Sequence, residues 1–248
     1  MLDEDVSPES EEDKSHTYPL ALPPLSPTPL NHSDCCLGLS TTLVQCILDI
    51  LHPKIPSLQI PALPVLSIGS GTGLFEALLT TLSPRGTIEV HGVEVSSSSS
   101  ANKYLSLHLR HTVPTTFTLY DDATHFPVWI FVYPRDPRLV RVYLELAAAS
   151  GRQVTLIFLG PKADFLPASN SEGEDGDGEA QQDTFADVLG SFSDHMERCH
   201  DFIEHDETTG PVCNSGDGAA FSKPFRASIF SSADAGLPSY EVLCVLRV

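Results

Sequence analysis

Three glycines at alternate positions, Gly69, Gly71 and Gly73 in "IGSGTG", follow a short apolar run and lead into the helix-forming "LFEALL". Without side chains at such a turn the backbone can approach a ligand closely, and the free N–H groups of a helix start favour a carboxylate or a phosphate. A bare strand-to-helix turn needs fewer glycines, so the stretch reads as a binding loop comprising Ser67, Gly69, Ser70, Gly71 and Gly73. Glu94 stands about 20 residues further on, the interval at which an acid in nucleotide-binding α/β folds accepts ribose hydroxyls. Spacing narrows the ligand. A dinucleotide fingerprint would place its third glycine where Leu74 stands, and a phosphate-binding P-loop would need a Lys after Gly73.

Elements legible in the pattern must hold these residues. "STTLVQCILDILH" carries Leu43, Cys46, Ile47 and Ile50 at helical spacing, with Ser40 or Thr41 as N-cap. From Pro64 onward, strands and helices alternate. "PVLSIG" predicts a strand, "GLFEALLTTLS" a helix and "TIEVHGVEV" a strand. "SSSSSANKYLSLHLRH" predicts a second crossover helix, "TTFTLYDDA" a third strand and "VWIFVY" a fourth, apolar enough to be buried on both faces. "DPRLVRVYLELAAAS" predicts a helix, "RQVTLIFLG" a fifth strand and "DTFADVLGSFSDHMERCHDFIEH" a helix. Strands near "FRASIF" and "YEVLCVLRV" close the chain. Such alternation predicts an α/β fold, a doubly wound and mostly parallel seven-stranded sheet with helices on both faces. Ligands bind such sheets at the carboxyl ends of the strands.

The formal charge of −19 over 248 residues is concentrated. Residues 1–14 and 170–183 carry about −6 each, leaving about −7 for the rest. The reading is a domain over 37–248, preceded by an acidic, Pro-rich tail over 1–36 and interrupted by an acidic, disordered insert at about 168–183. A mildly acidic domain argues against a nucleic-acid substrate, which usually needs a basic stripe. No apolar run reaches a membrane span, and an acidic start unlike a secretory signal points to an intracellular, cytoplasmic protein, with the nucleus as the alternative. The six Cys show no framework, and adjacent Cys35 and Cys36 lack a CxxC partner. His195, Cys199, His200 and His205 cluster in the last helix but read as a solvated face, so no metal is expected.

"IGSGTG", Glu94 and "DATHFP" together resemble the motifs of the class I S-adenosylmethionine-dependent methyltransferases, over about residues 38–248. The resemblance implies S-adenosylmethionine as cofactor, lying across Gly69, Gly71, Gly73, Glu94 and Asp122, with neighbouring Asp121 competing for the adenine amino group. It also implies a closing antiparallel hairpin. Family members usually carry an acid where Ser67 stands, two residues before the first glycine. The end of the fourth strand lies beside the methyl group in this family. Tyr133, Arg135 and Asp136 of "YPRDP" are therefore candidates to line the acceptor site, with His125 and Lys162 behind them. The same segment reads equally as a helix start, with Asp136 as cap and Pro137 in the first turn. Arg135 suits an acceptor carboxylate or an ordinary surface ion pair. No D/N-P-P-[YF] sequence is present, which argues against methylation of base nitrogens. The expected acceptor is a small molecule, with a protein side chain second. The rival reading is an inactive methyltransferase-like partner subunit.

Overall fold

The structure, a computed structural model, describes residues 20–51, 61–98, 100–165, 183–192 and 226–247. A hairpin of β1 (Leu30–His32) and β2 (Cys35–Leu39) precedes α1 (Thr41–Leu51). Then follow β3 (Leu63–Ile68), α2 (Leu74–Leu82), β4 (Ile88–Val95), β5 (Arg110–Val113) and β6 (Val128–Val132). The chain continues through α3 (Pro137–Ser150), β7 (Thr155–Pro161), α4 (Lys162–Phe165), α5 (Phe185–Ser191), β8 (Arg226–Phe230), α6 (Ser232–Ala235) and β9 (Glu241–Arg247).

Seven strands form one sheet in the order β5-β4-β3-β6-β7-β9-β8. The first five are parallel, while β9 runs antiparallel to both β7 and β8. This is the expected α/β architecture, closing hairpin included. β3, β6 and β7 are almost wholly buried because helices cover both faces. One core packs α1, α2 and β2 against Val65, Val90, Ile130, Ile157 and Val245. The other packs α3 and α5 against Leu66, Trp129, Phe131, Phe158 and Leu246. Strand order reverses between β3 and β6, and open parallel sheets bind ligands outside the strand ends at such a switch point.

Three expectations change. The serine-led stretch after β4 forms turns and a short 3₁₀ segment, Leu107–Leu109, rather than a crossover helix. Consecutive serines compete for backbone partners and make poor helix interiors. The chain therefore reaches the sheet edge early, as Arg110–Val113, and Pro114 follows the strand, whereas "TTFTLYDDA" becomes coil and turn. The assigned tail is also too long. Its last residues pair as β1 and β2, since Leu37 and Leu39 are apolar and fully buried although the surrounding composition is not. The acidic stretch before Asp183 and the His195–His205 cluster lie outside the described residues. Among the described residues no helix is long and apolar enough to cross a membrane, and no group of His, Cys, Asp and Glu is arranged for a metal ion.

Candidate functional site

The apolar strand β3 delivers the chain to the switch point, and the glycine loop turns it directly into α2. Gly69, Gly71 and Gly73 all have positive φ, at 72°, 58° and 79°. A Cβ on Gly69 or Gly71 would meet nothing within 4 Å, so the missing side chains leave open space over the loop. Gly73 is different: a Cβ there would press on Leu105 and on Asn102. Buried Asn102, itself at φ 53°, fixes the loop by donating from its amide to Gly92 O at 3.0 Å and accepting from Ser70 Oγ at 2.6 Å. Its backbone N–H reaches Gly71 O at 2.8 Å.

Glu94 bonds directly to the glycine loop. At the end of β4, beside β3, its carboxylate accepts from the N–H of Gly71 at 2.8 Å and of Val95 at 2.9 Å. Ser67, fully buried, donates its hydroxyl at 2.6 Å to Oε1 of Glu76 in the first turn of α2. Glu76 is 1% exposed, its Oε2 has no hydrogen-bond partner, and burial lifts its carboxyl to about 7. An unmade hydrogen bond on a buried polar atom costs about 1–3 kcal/mol. A carboxylate from α2 thus stands against the Ser67 side chain.

The N-terminal hairpin closes over these strand ends. Thr72 donates to Asp34 O at 2.6 Å, and the Asp34 carboxylate accepts from Lys103 Nζ at 2.7 Å and Tyr104 OH at 2.6 Å. The Lys103 contact, then Tyr104, holds the Asp34 carboxyl below its ordinary value. Beyond the switch point, Tyr133 follows β6 at φ 48° and donates its hydroxyl at 2.5 Å to fully buried Glu241, which also accepts from Gly38 N of β2 at 3.2 Å. Burial, reinforced by Glu241, pushes the Tyr133 phenol up. Cys35 is pushed to about 12 by burial, with Glu76 and Glu241 adding to it.

Asp136 caps α3, accepting from Arg138 N at 2.9 Å and from the Arg138 guanidinium, and Pro137 takes the first helical position. Arg135 is exposed, and Lys162 opens α4. Asp121 and Asp122 are exposed and follow a coil rather than a strand end. Asp122 lies 3.5 Å from Tyr120 OH and 3.5 Å from His125 Nδ1. Tyr120 OH in turn meets His111 Nδ1 at 3.1 Å, His111 meets His91 at 2.9 Å, and His91 meets Glu89 at 3.0 Å. Burial, then His91, lowers the His111 imidazole. The structure therefore joins Ser67, Gly69, Ser70, Gly71, Gly73 and Glu94 in one bonded unit and sets Tyr133 across the switch point. No described contact links Asp121 or Asp122 to that unit.

A parallel sheet closed by the antiparallel pair β9 and β8, with a G-x-G-x-G loop at the reversal, decides the architecture. It is the architecture that the resemblance to the class I S-adenosylmethionine-dependent methyltransferases implies. No family model and no curated protein matches the chain. Solved structures similar to it include a SAM-dependent methyltransferase from Aquifex aeolicus, at 11% identity and TM-score 0.42, covering 83% of this chain and 89% of that one. The plantazolicin methyltransferase BpumL, solved with SAH, aligns at 11% identity and TM-score 0.45, covering 84% and 85%. The O-methyltransferase TomG from Streptomyces achromogenes, solved with SAM, aligns at 13% identity and TM-score 0.36, covering 86% and 92%. The residues of this region that spacing missed are Asp34, Glu76, Asn102 and Glu241. Only Glu76 left a trace in sequence, as an acid among Leu74, Phe75, Leu78 and Leu79, the side of its helix that faces the core.

Proposed function

We propose that the protein is an S-adenosylmethionine-dependent methyltransferase acting on a small-molecule acceptor, with a protein side chain as second choice. The glycine loop carries this reading: two of its three positive-φ glycines leave open space, and Glu94 stands hydrogen-bonded against it. These residues fit the cofactor. Backbone N–H groups at the start of α2 suit its carboxylate, Glu94 suits its ribose hydroxyls, and Asp121 or Asp122 would take the adenine amino group. When bound, the cofactor supplies an electrophilic methyl group on a sulfonium. Such a transfer depends on alignment and needs no obligatory acid–base pair, so the chain's residues have only to bind, orient and exclude water. Tyr133, Arg135 and Asp136 border the end of β6, where an acceptor would be received.

A second reading, a methyltransferase-like subunit without turnover, is favoured by how two of those residues are engaged. The Tyr133 hydroxyl is bound to Glu241, and Asp136 is bound to Arg138. Calorimetric titration with S-adenosylmethionine, S-adenosylhomocysteine, NAD and NADP tests the cofactor. Micromolar binding of the first pair alone is the expected result, and binding of NAD or NADP alone would sink it. Cofactor binding without turnover on amine, hydroxyl or thiol acceptors would favour the second reading.

A further inference from the structure

We propose that Glu76 is the counter-ion for a cationic amino group of the bound ligand. This rests on the function proposed above, under which that group is the ammonium on the methionine end of S-adenosylmethionine. The argument begins from an incomplete charge site. Glu76 is 1% exposed and lies at the turn where β3 hands over to α2. Oε1 accepts the Ser67 hydroxyl at 2.6 Å, whereas Oε2 is buried and has no partner. The groups that face it are the Ser67 hydroxyl from β3, its own amide on α2, the Glu94 carboxylate from β4 and the Cys35 thiol from β2. None is cationic, and among the described residues no Lys, Arg or His pairs with Glu76.

Buried carboxylates persist when they are paired and hydrogen-bonded. This one is half satisfied and stands beside a loop whose glycines leave open space. An ammonium group has three donors and a full positive charge, which would meet Oε2 and offset the repulsion from Glu94. Burial holds the carboxyl at about 7 in the free protein. Pairing with a cation favours the ionised form, so binding near neutral pH should expel the proton that Glu76 holds.

The test is titration of the full chain at pH 6.5 in two buffers of different ionisation enthalpy. The probes are S-adenosylhomocysteine and 5′-methylthioadenosine, which lacks the amino-acid end. The wild type should bind both and release more than half a proton with S-adenosylhomocysteine only. Glu76→Gln should weaken S-adenosylhomocysteine by about tenfold or more and abolish that release, with 5′-methylthioadenosine unchanged. Ser67→Ala keeps the acid but removes its hydroxyl donor, and it decides the matter if the first variant does not fold. It should weaken S-adenosylhomocysteine at pH 6.5 and recover by pH 8. Unchanged affinity and proton count in the folded variants would make Glu76 a structural, protonated acid and overturn the proposal alone. Failure of the wild type to bind either probe would overturn the cofactor reading, and this proposal with it.

Discussion

Glu241 and Glu76 are both buried carboxylates at the carboxyl ends of the parallel strands, one on each side of the switch point, yet their surroundings differ. Glu241 receives the Tyr133 hydroxyl and the Gly38 amide, joining β9, the end of β6 and the N-terminal hairpin. Pro238 packs so closely on Gly38 that a Cβ there would collide with its ring, and Ser40 Oγ donates to Gly236 O at 2.6 Å. That region is finished. Around Glu76 the hydrogen bonding stops one partner short. The first acid is held by structure on every side, whereas the second has an open oxygen of the kind that the counter-ion proposal requires.

The comparison breaks most visibly through Glu241. Glu241→Ala would strand a half-buried tyrosine hydroxyl and a buried amide, so urea unfolding should show a loss of about 2–4 kcal/mol. A loss below about 1 kcal/mol would mean that the hairpin is not held there. On the other side, effects should fall on binding. Gly71→Val forces a β-branched residue into positive φ, costing about 1–2 kcal/mol of stability, and also fills the open space over the loop. Glu94→Ala removes the carboxylate bonded to Gly71. Each should weaken S-adenosylhomocysteine by about tenfold or more in calorimetry. Unchanged affinity in both would remove the site assignment.

The open acid can also be read by pH. The Glu76 carboxyl is raised to about 7 in the folded chain against an ordinary 4.5. Between those values the folded state binds more protons than the unfolded state, so this group's contribution falls as pH rises from about 4.5 to 7 and is level above. Glu76→Gln lacks that slope. Without ligand, the variant should match the wild type near pH 4.5 and exceed it by about 1–3 kcal/mol at pH 8, seen as a higher Tm. Parallel pH profiles would show that Glu76 titrates as an ordinary surface acid.

What sequence could reveal follows the range of the forces involved. Strands β3, β4, β6 and β7 and helices α2 and α3 were legible because buried strands and amphipathic helices write their period into adjacent residues. The glycine loop was legible because positive φ selects glycine at each position. The crossover after β4 was misread because "ANKYLSLHL" has helical periodicity, while tertiary contacts fold it otherwise. Asn102 locks onto Ser70 and Gly92, and Arg110 Nε donates to Leu105 O at 2.8 Å. Hairpin β1–β2 was hidden because averaging over an acidic, Pro-rich stretch masks five residues that bury Leu37 and Leu39. Pairs such as Tyr133 with Glu241, or Asp34 with Lys103, join residues far apart in the chain. No local pattern marks them.

Asp136 offers the finest distinction, since sequence allowed it two roles. Its Oδ1 accepts from Arg138 N at 2.9 Å, its carboxylate binds the Arg138 guanidinium, and that contact holds its carboxyl below the ordinary value. A lowered folded value gives stability above the unfolded value that is lost as pH falls through the folded one. If Asp136 serves as a cap, Asp136→Ala should cost about 1 kcal/mol at pH 7, less at acid pH, and Asp136→Asn should restore most of it. Neither change should alter affinity for S-adenosylhomocysteine or turnover of an acceptor once one is found. If Asp136 contacts the acceptor, the order inverts: Asn would keep the helix and lose turnover. The Asn variant is therefore the decisive one, because the cap accepts either residue and a charged contact accepts only the acid.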